Sequence, residues 1–140
     1  MKALSIFAIL LVSGWYSTND TNEASVSIFR EGKFTGVGVN YRIWIDNQEI
    51  CTLSNDRYIN IKLKSGVHTI SSKAKGVGYL SNPKSVININ VEKGQSYFLK
   101  ATAKMKGVAG VLELKIIGQE EAEKIKTKVT KFDNCQKELL

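Results

Sequence analysis

Apolar and polar residues alternate with a period of two along eight short stretches of this chain. They are residues 25–29 (SVSIF), 40–46 (NYRIWID), 49–53 (EICTL), 58–63 (YINIKL), 67–72 (VHTISS), 85–91 (SVININV), 96–103 (SYFLKATA) and 111–117 (VLELKII). Each is rich in β-branched or aromatic residues, and the pattern predicts a strand in each. Successive side chains of a strand point to opposite faces. Ile59, Ile61 and Leu63 are therefore expected in the core, with Tyr58, Asn60 and Lys62 on the other face. Ile87, Ile89 and Val91 stand the same way against Asn88 and Asn90, and Tyr41, Ile43 and Ile45 against Trp44. Eight such strands predict a mainly β chain, a single antiparallel β-sandwich of about seven to eight strands.

The connectors carry turn chemistry. Asp46-Asn47-Gln48 joins two strands with residues that tolerate positive φ and predicts a tight hairpin. Ser54–Asp56, Lys64–Gly66 and Glu92–Gln95 are similar, and Lys106–Gly110 is a looser link. Two longer, glycine-richer loops, 30–39 (REGKFTGVGV) and 73–84 (KAKGVGYLSNPK), are where a rigid β scaffold places its binding residues. After residue 117 the period changes to that of a helix. Over 118–132, Ala122, Ile125, Val129 and Phe132 form a narrow apolar stripe. Glu120, Glu121 and Glu123 come early and Lys126, Lys128 and Lys131 late, complementing the helix dipole. One C-terminal α-helix is expected there, lying on the sheet or covering an edge, followed by a tail at 133–140.

The first residues break the strand pattern. Lys2 precedes an uncharged apolar run, Ala3–Val12, of about ten residues, followed by Ser13 and Gly14. This is the layout of an export signal. As a helix the run is only ~15 Å long, about half a bilayer core. Residues 1–14 are thus expected to be a signal peptide, 15–24 a polar tether, 25–117 the β-sandwich domain and 118–132 the helix. Val12 and Gly14 suit an ordinary signal-peptidase site, while Trp15 stands where a lipoprotein carries its lipidated cysteine. The indole forms no thioether, so membrane association is expected only through this segment, and only if the signal stays uncleaved. The expected location is the periplasm or cell envelope.

Composition adds a positive balance. The net charge is +7 over 140 residues, and 17 of the 20 basic residues are lysine. Excess positive charge draws a protein to nucleic acid, anionic lipid or acidic polymers. Nucleic acid is the poorest fit: the charge is spread along the chain, arginine is scarce, and export removes the chain from the cytoplasm. Lysines on solvated strand faces also guard edges against aggregation.

Candidate chemistry is thin. His68 is the single histidine, so no histidine-pair metal site and no serine or cysteine triad is built from this chain. A structural role at a strand start is expected for it. Gly36 and Gly38, like Gly76 and Gly78, resemble half of a phosphate-binding loop, but the full fingerprint is missing and no helix follows; bends or bulges are the better reading. Asp46, Asp56 and Glu49 offer three carboxylates whose spacing does not demand a site. Tyr41, Trp44, Tyr79, Tyr97 and Phe98 form either an aromatic platform for sugars or ordinary packing, with the last helix covering Trp44. Cys51 and Cys135 leave two readings: a disulfide tying the tail to the domain, as an oxidising compartment permits, or Cys51 as a plain buried strand residue.

The run 25–72 resembles the bacterial family known as domain of unknown function 2846. The resemblance is carried by Ile28-Phe29-Arg30, Gly36, the Asp46-Asn47 turn, Leu53 with Tyr58, and Gly66-Val67-His68, and later by Glu92–Ala101. Ser65 and Asn47 depart from the family's proline and glycine. PEGA-type and transthyretin-like sandwiches share the turn before His68. The family implies a small exported β-sandwich, often a lipoprotein, with no catalytic residue to carry over, and Trp15 then looks like the trace of a lost cysteine. No catalytic residue, cofactor or metal ligand is expected. The expected function is that of a noncatalytic envelope accessory module meeting a protein or envelope polymer, with glycan or anionic-polymer binding as the alternative.

Overall fold

In a computed structural model of the chain, the described residues are 22–34, 37–74, 85–106, 109–129, 132, 133 and 135. Trp15, Gly36, Gly76, Gly78, Tyr79 and the expected signal segment lie outside them. The chain is mainly β, with eight strands and one helix: β1 (Glu23–Arg30), β2 (Tyr41–Ile45), β3 (Gln48–Leu53), β4 (Arg57–Lys64), β5 (Gly66–Ala74), β6 (Ser85–Val91), β7 (Ser96–Lys106), β8 (Ala109–Ile117) and α1 (Gln119–Lys126). Each predicted strand is present, with ends shifted by a few residues. Asp46 and Asn47 adopt φ of 49° and 67°, the two consecutive positive values that a two-residue hairpin needs.

The strands form two four-stranded sheets, a first in the order β4-β1-β7-β8 and a second in the order β3-β2-β5-β6. Inward residues of both sheets make one core: Val26 and Ile28 from β1, Ile43 and Ile45 from β2, Ile59 from β4, Ile70 from β5 and Leu99 from β7 are fully buried. Along one side β8 packs on β5 and β6. There the buried Ser72 hydroxyl donates to the Leu112 carbonyl at 2.7 Å, and the Leu114 amide donates to Ser85 Oγ at 3.3 Å.

Pairing is antiparallel except between β1 and β7, which run parallel from Ser25↔Ser96 to Phe29↔Lys100. This departs from the expected wholly antiparallel arrangement. β1 is a central strand that takes β4 on one side and β7 on the other. The whole second sheet intervenes in sequence between β1 and β7, a crossover long enough for parallel neighbours. Alternation within a strand carries no information about its partner's direction.

The helix is shorter than its apolar stripe suggested. It ends at Lys126, where the Thr127 hydroxyl donates to the Lys124 carbonyl at 2.8 Å and the amides of Lys128 and Val129 both reach the Ile125 carbonyl. Ala122, Ile125 and Val129 do bury together, against Phe29 and Ile117 on the outer face of the first sheet. Phe132 leaves the stripe, because the chain turns back to lay its ring on Tyr58, 5.2 Å between centroids.

That turn brings the tail across the β3–β4 connection. The Asp133 amide donates to the Tyr58 carbonyl at 3.0 Å, its carboxylate accepts the Ser54 amide at 2.9 Å, and Arg57 lies 3.6 Å from the same carboxylate. Cys135 then forms a disulfide with Cys51, their Cα atoms 5.2 Å apart. A bulge between Ile43 and Trp44 helps place Cys51: Trp44 faces Glu49 and Ile43 faces Cys51, so Ile50 is the extra residue. Glu49 consequently stands on the solvent face and Cys51 on the inner one, where plain alternation puts them together.

The bridge spans 84 positions, and closing a loop of that length is worth about 4–5 kcal/mol in the chain-entropy model. Denaturant unfolding with and without reductant is therefore expected to show a loss of that order on reduction. The paired substitutions C51S and C135S should reproduce the loss and abolish the response to reductant.

Candidate functional site

The connections divide between two poles. At one lie the β1–β2 loop, the β3–β4 turn with the tail across it, the ends of β5 and β6 that flank residues 75–84, and the β7–β8 hairpin. At the other lie the β2–β3, β4–β5 and β6–β7 turns and the entry of the chain at Asn22. Both glycine-rich loops leave from the first pole, the loop pole.

Its base is set by Arg30. Residues 24, 26, 28 and 30 of β1 face inward, so the last of them points its guanidinium into the end of the core, where Arg30 is 1% exposed. Nη1 donates to the carbonyls of Val39 at 2.9 Å and Leu53 at 3.1 Å, and the cation lies 4.9 Å from the centre of the Tyr41 ring. One side chain of the first sheet thereby fixes the end of the β1–β2 loop and the end of β3. Burial pulls its pKa down, while Tyr41 and Asp133 favour the charged form; an arginine stays protonated in either case. The loop also lies close on the β3–β4 turn: a Cβ at Gly32 would meet Asp56 Cβ at 3.0 Å, so a larger residue there requires Asp56 to shift by a few tenths of an ångström. The Lys33 amide reaches Asn55 Oδ1 at 3.5 Å.

Beyond this base the loop turns outward. The Val37 amide donates to the Phe34 carbonyl at 3.3 Å. Phe34 is 96% exposed and Val37 60%. On the neighbouring hairpin Met105, opposite Gly110, is also 60% exposed.

The strongest acid–base pair is at the opposite pole. His68 Nδ1 lies 2.6 Å from Asp46 Oδ2 and Nε2 lies 2.7 Å from the Lys64 carbonyl. The other Asp46 oxygen accepts the Thr69 amide at 2.9 Å. Both ring nitrogens face acceptors, an arrangement that only the doubly protonated imidazolium satisfies with two donated bonds. Burial draws the imidazole pKa down, but the Asp46 carboxylate and the Lys64 carbonyl outweigh it and hold it above its ordinary 6.5. For Asp46, burial pushes upward and is outweighed by the Thr69 amide and His68, which hold it below its ordinary 3.8. With each nitrogen engaged, neither is placed to take a substrate proton or a metal ion. His68 ties the β2–β3 turn to the end of β4, the structural role its position suggested.

The other candidates do not converge. Asp56 sits in the β3–β4 turn at the pole opposite Asp46, and Glu49 lies 3.5 Å from Arg42. Tyr41 is buried in the core, Tyr97 accepts the Glu92 amide at 3.0 Å, and Phe98 packs on Phe29 at 6.5 Å between centroids. Trp44 is half-buried on the outer face of the second sheet, whereas α1 lies on the first, against β7 and β1; the helix does not cover it. Among the described residues no three His, Cys, Asp or Glu side chains gather as a metal site. The buried role of Arg30 and the Tyr58–Phe132 contact are the features sequence reasoning missed. An inward parity ending on an arginine is the signal that marks the first.

Two measurements check these ties. Replacing Arg30 with Met leaves the Val39 and Leu53 carbonyls without this donor, and about 2–4 kcal/mol of unfolding free energy is expected to disappear. His68 binds its proton more tightly folded than unfolded, so its contribution is fully present below about pH 6.5 and fades as pH rises through the higher folded value. The Asp46 contribution is present above its ordinary value and lost as acid titrates it. The stability advantage of the wild type over H68Q should therefore shrink as pH rises above about 6.5; an advantage that grows with rising pH contradicts the assignment.

Against known proteins, no family model matches the chain, and no curated protein sequence matches it either.

Proposed function

We propose that this chain is a noncatalytic interaction or structural accessory module of the cell envelope, a single exported β-sandwich that meets a protein or polymer partner through its loop pole. The observation that carries the reading is Phe34, almost fully exposed on a loop whose base is locked by a buried arginine. A rigid scaffold that holds an apolar side chain in water has the form of a binding surface. Asn22 enters at the other pole, bonded to Ser65 through its side chain at 2.9 Å, so the loop pole is displayed away from the start of the domain. The Cys51–Cys135 disulfide suits an oxidising compartment, and with the apolar run Ala3–Val12 it supports export. Kinship with the domain of unknown function 2846 is part of the proposal. Its support is the order and spacing of the residues that carry the resemblance.

Glycan binding is the second reading, favoured by the position of Trp44. On its face, Trp44 pairs with Ser71 and Glu49, and the neighbouring Thr69 hydroxyl donates to Asn88 at 2.9 Å. A half-exposed indole among amides and hydroxyls is the chemistry of a sugar-stacking surface. Titration of envelope polysaccharides at low and high salt, with W44A as the control, separates it from the first reading.

The main test is a photocrosslinking phenylalanine analogue at Phe34, with a second at Lys115 as control, in cells that express the full chain. Covalent adducts are expected at Phe34 and not at Lys115. Equal labelling at both positions, or turnover of a broad hydrolase substrate panel by the purified protein, overturns the reading.

A further inference from the structure

Phe34, Val37 and Met105, exposed apolar residues of the loop pole, stand among lysines. Lys33 precedes Phe34, Lys104 precedes Met105, and Lys73 lies near the end of β5; all three are exposed. Carboxylates near this pole are largely engaged from within the fold. Glu31 lies 3.2 Å from Lys100 and 3.7 Å from Lys128, Asp133 is held by Arg57 and the Ser54 amide, and Glu113 pairs with Lys104. Asp56 is half-buried over Gly32. The pole thus presents projecting apolar tips in a positive setting, on a chain of net charge +7.

The shape matters as much as the charge. Phe34 and Val37 stand on a turn and Met105 on a hairpin, so they project rather than line a groove. A projecting aromatic is buried most readily by a surface that yields around it, as the headgroup region of a bilayer does. Lysines beside it can lay their stems along the apolar layer while the ammonium groups remain at the lipid phosphates.

We propose that the loop pole docks peripherally on an anionic phospholipid surface. Phe34 and Val37 enter between the headgroups, Met105 lies beside them, and Lys33 and Lys73 meet the phosphates. The inference rests on the reading of this pole as the interaction surface and puts a lipid surface there in place of a protein or polymer. The described chain enters at the opposite pole, away from the docking face.

Flotation of the full chain with vesicles of phosphatidylethanolamine and phosphatidylglycerol, and with vesicles of phosphatidylcholine, tests it. The N-terminal apolar run is common to all variants, so the difference between variants is the readout. The triple substitution F34S, V37S and M105S should weaken binding to the anionic vesicles about tenfold or more. The pair K33E and K73E should weaken it on anionic vesicles and leave phosphatidylcholine binding unchanged. Added salt should act in the same direction as the charge reversals. These positions are exposed, so unaltered thermal unfolding of each variant shows that the fold is intact. Equal binding by wild type and triple variant overturns the proposal. So do adducts from the photocrosslinker at Phe34 that fall on protein and not on lipid, although that result sustains the interaction surface itself; lipid adducts support the lipid docking and the pole as the interaction surface.

Discussion

A positive charge buried at the end of a hydrophobic core is the constraint around which this molecule is arranged. Arg30 lies on the inward parity of β1, so it has no route to water except along the seam between the sheets. An isolated guanidinium there carries a large desolvation cost. It is tolerated because two carbonyls from the second sheet's side, those of Val39 and Leu53, accept from Nη1, and the Tyr41 ring faces the cation. Meeting those demands fixes where the β1–β2 loop ends and where β3 ends. The close contact of Gly32 with Asp56 and the outward course of the loop that carries Phe34 sit directly beside that fixed base.

The opposite pole solves a related problem with a different group. His68 accepts a proton to bridge a carboxylate on one turn and a backbone carbonyl on another strand, so it joins elements as Arg30 does, although nearer the surface. In both places a cation is held by groups that belong to the fold. This separates the pair from catalytic machinery, in which one nitrogen must stay free for the reacting atom. The third tie, the tail, combines a disulfide with a carboxylate that accepts a turn amide, and it closes over the same β3–β4 turn that the first loop contacts.

The candidate site was only partly legible in the sequence. Long glycine-containing connections identified the two loops, because turn residues record local backbone needs. Nothing in the order of residues said that these loops share a pole, which follows from strand pairing between residues far apart. Nor did it say that Phe34 faces water while Phe29, five positions earlier, is buried. Phe29 lies on the outer face of β1 and is covered by Tyr58 and Phe98 and by α1, which returns to it from the other end of the chain. His68 was recognisable as a lone histidine beside a turn, yet its partners, Asp46 and the Lys64 carbonyl, come together only when β2, β4 and β5 are in place.

Local patterning by itself determined the number of strands, the inward residues along most of them, the two-residue hairpin at Asp46-Asn47 and the presence of a helix after residue 118. These depend on side-chain parity, β-branching and turn chemistry, which act over a few residues. Tertiary structure decided the parallel pairing of β1 with β7, the bulge that turns Glu49 outward and Cys51 inward, the early end of the helix and the burial of Arg30. Each depends on what a distant segment places opposite a residue. The energy of burial and hydrogen bonding belongs to the pair and not to either sequence alone.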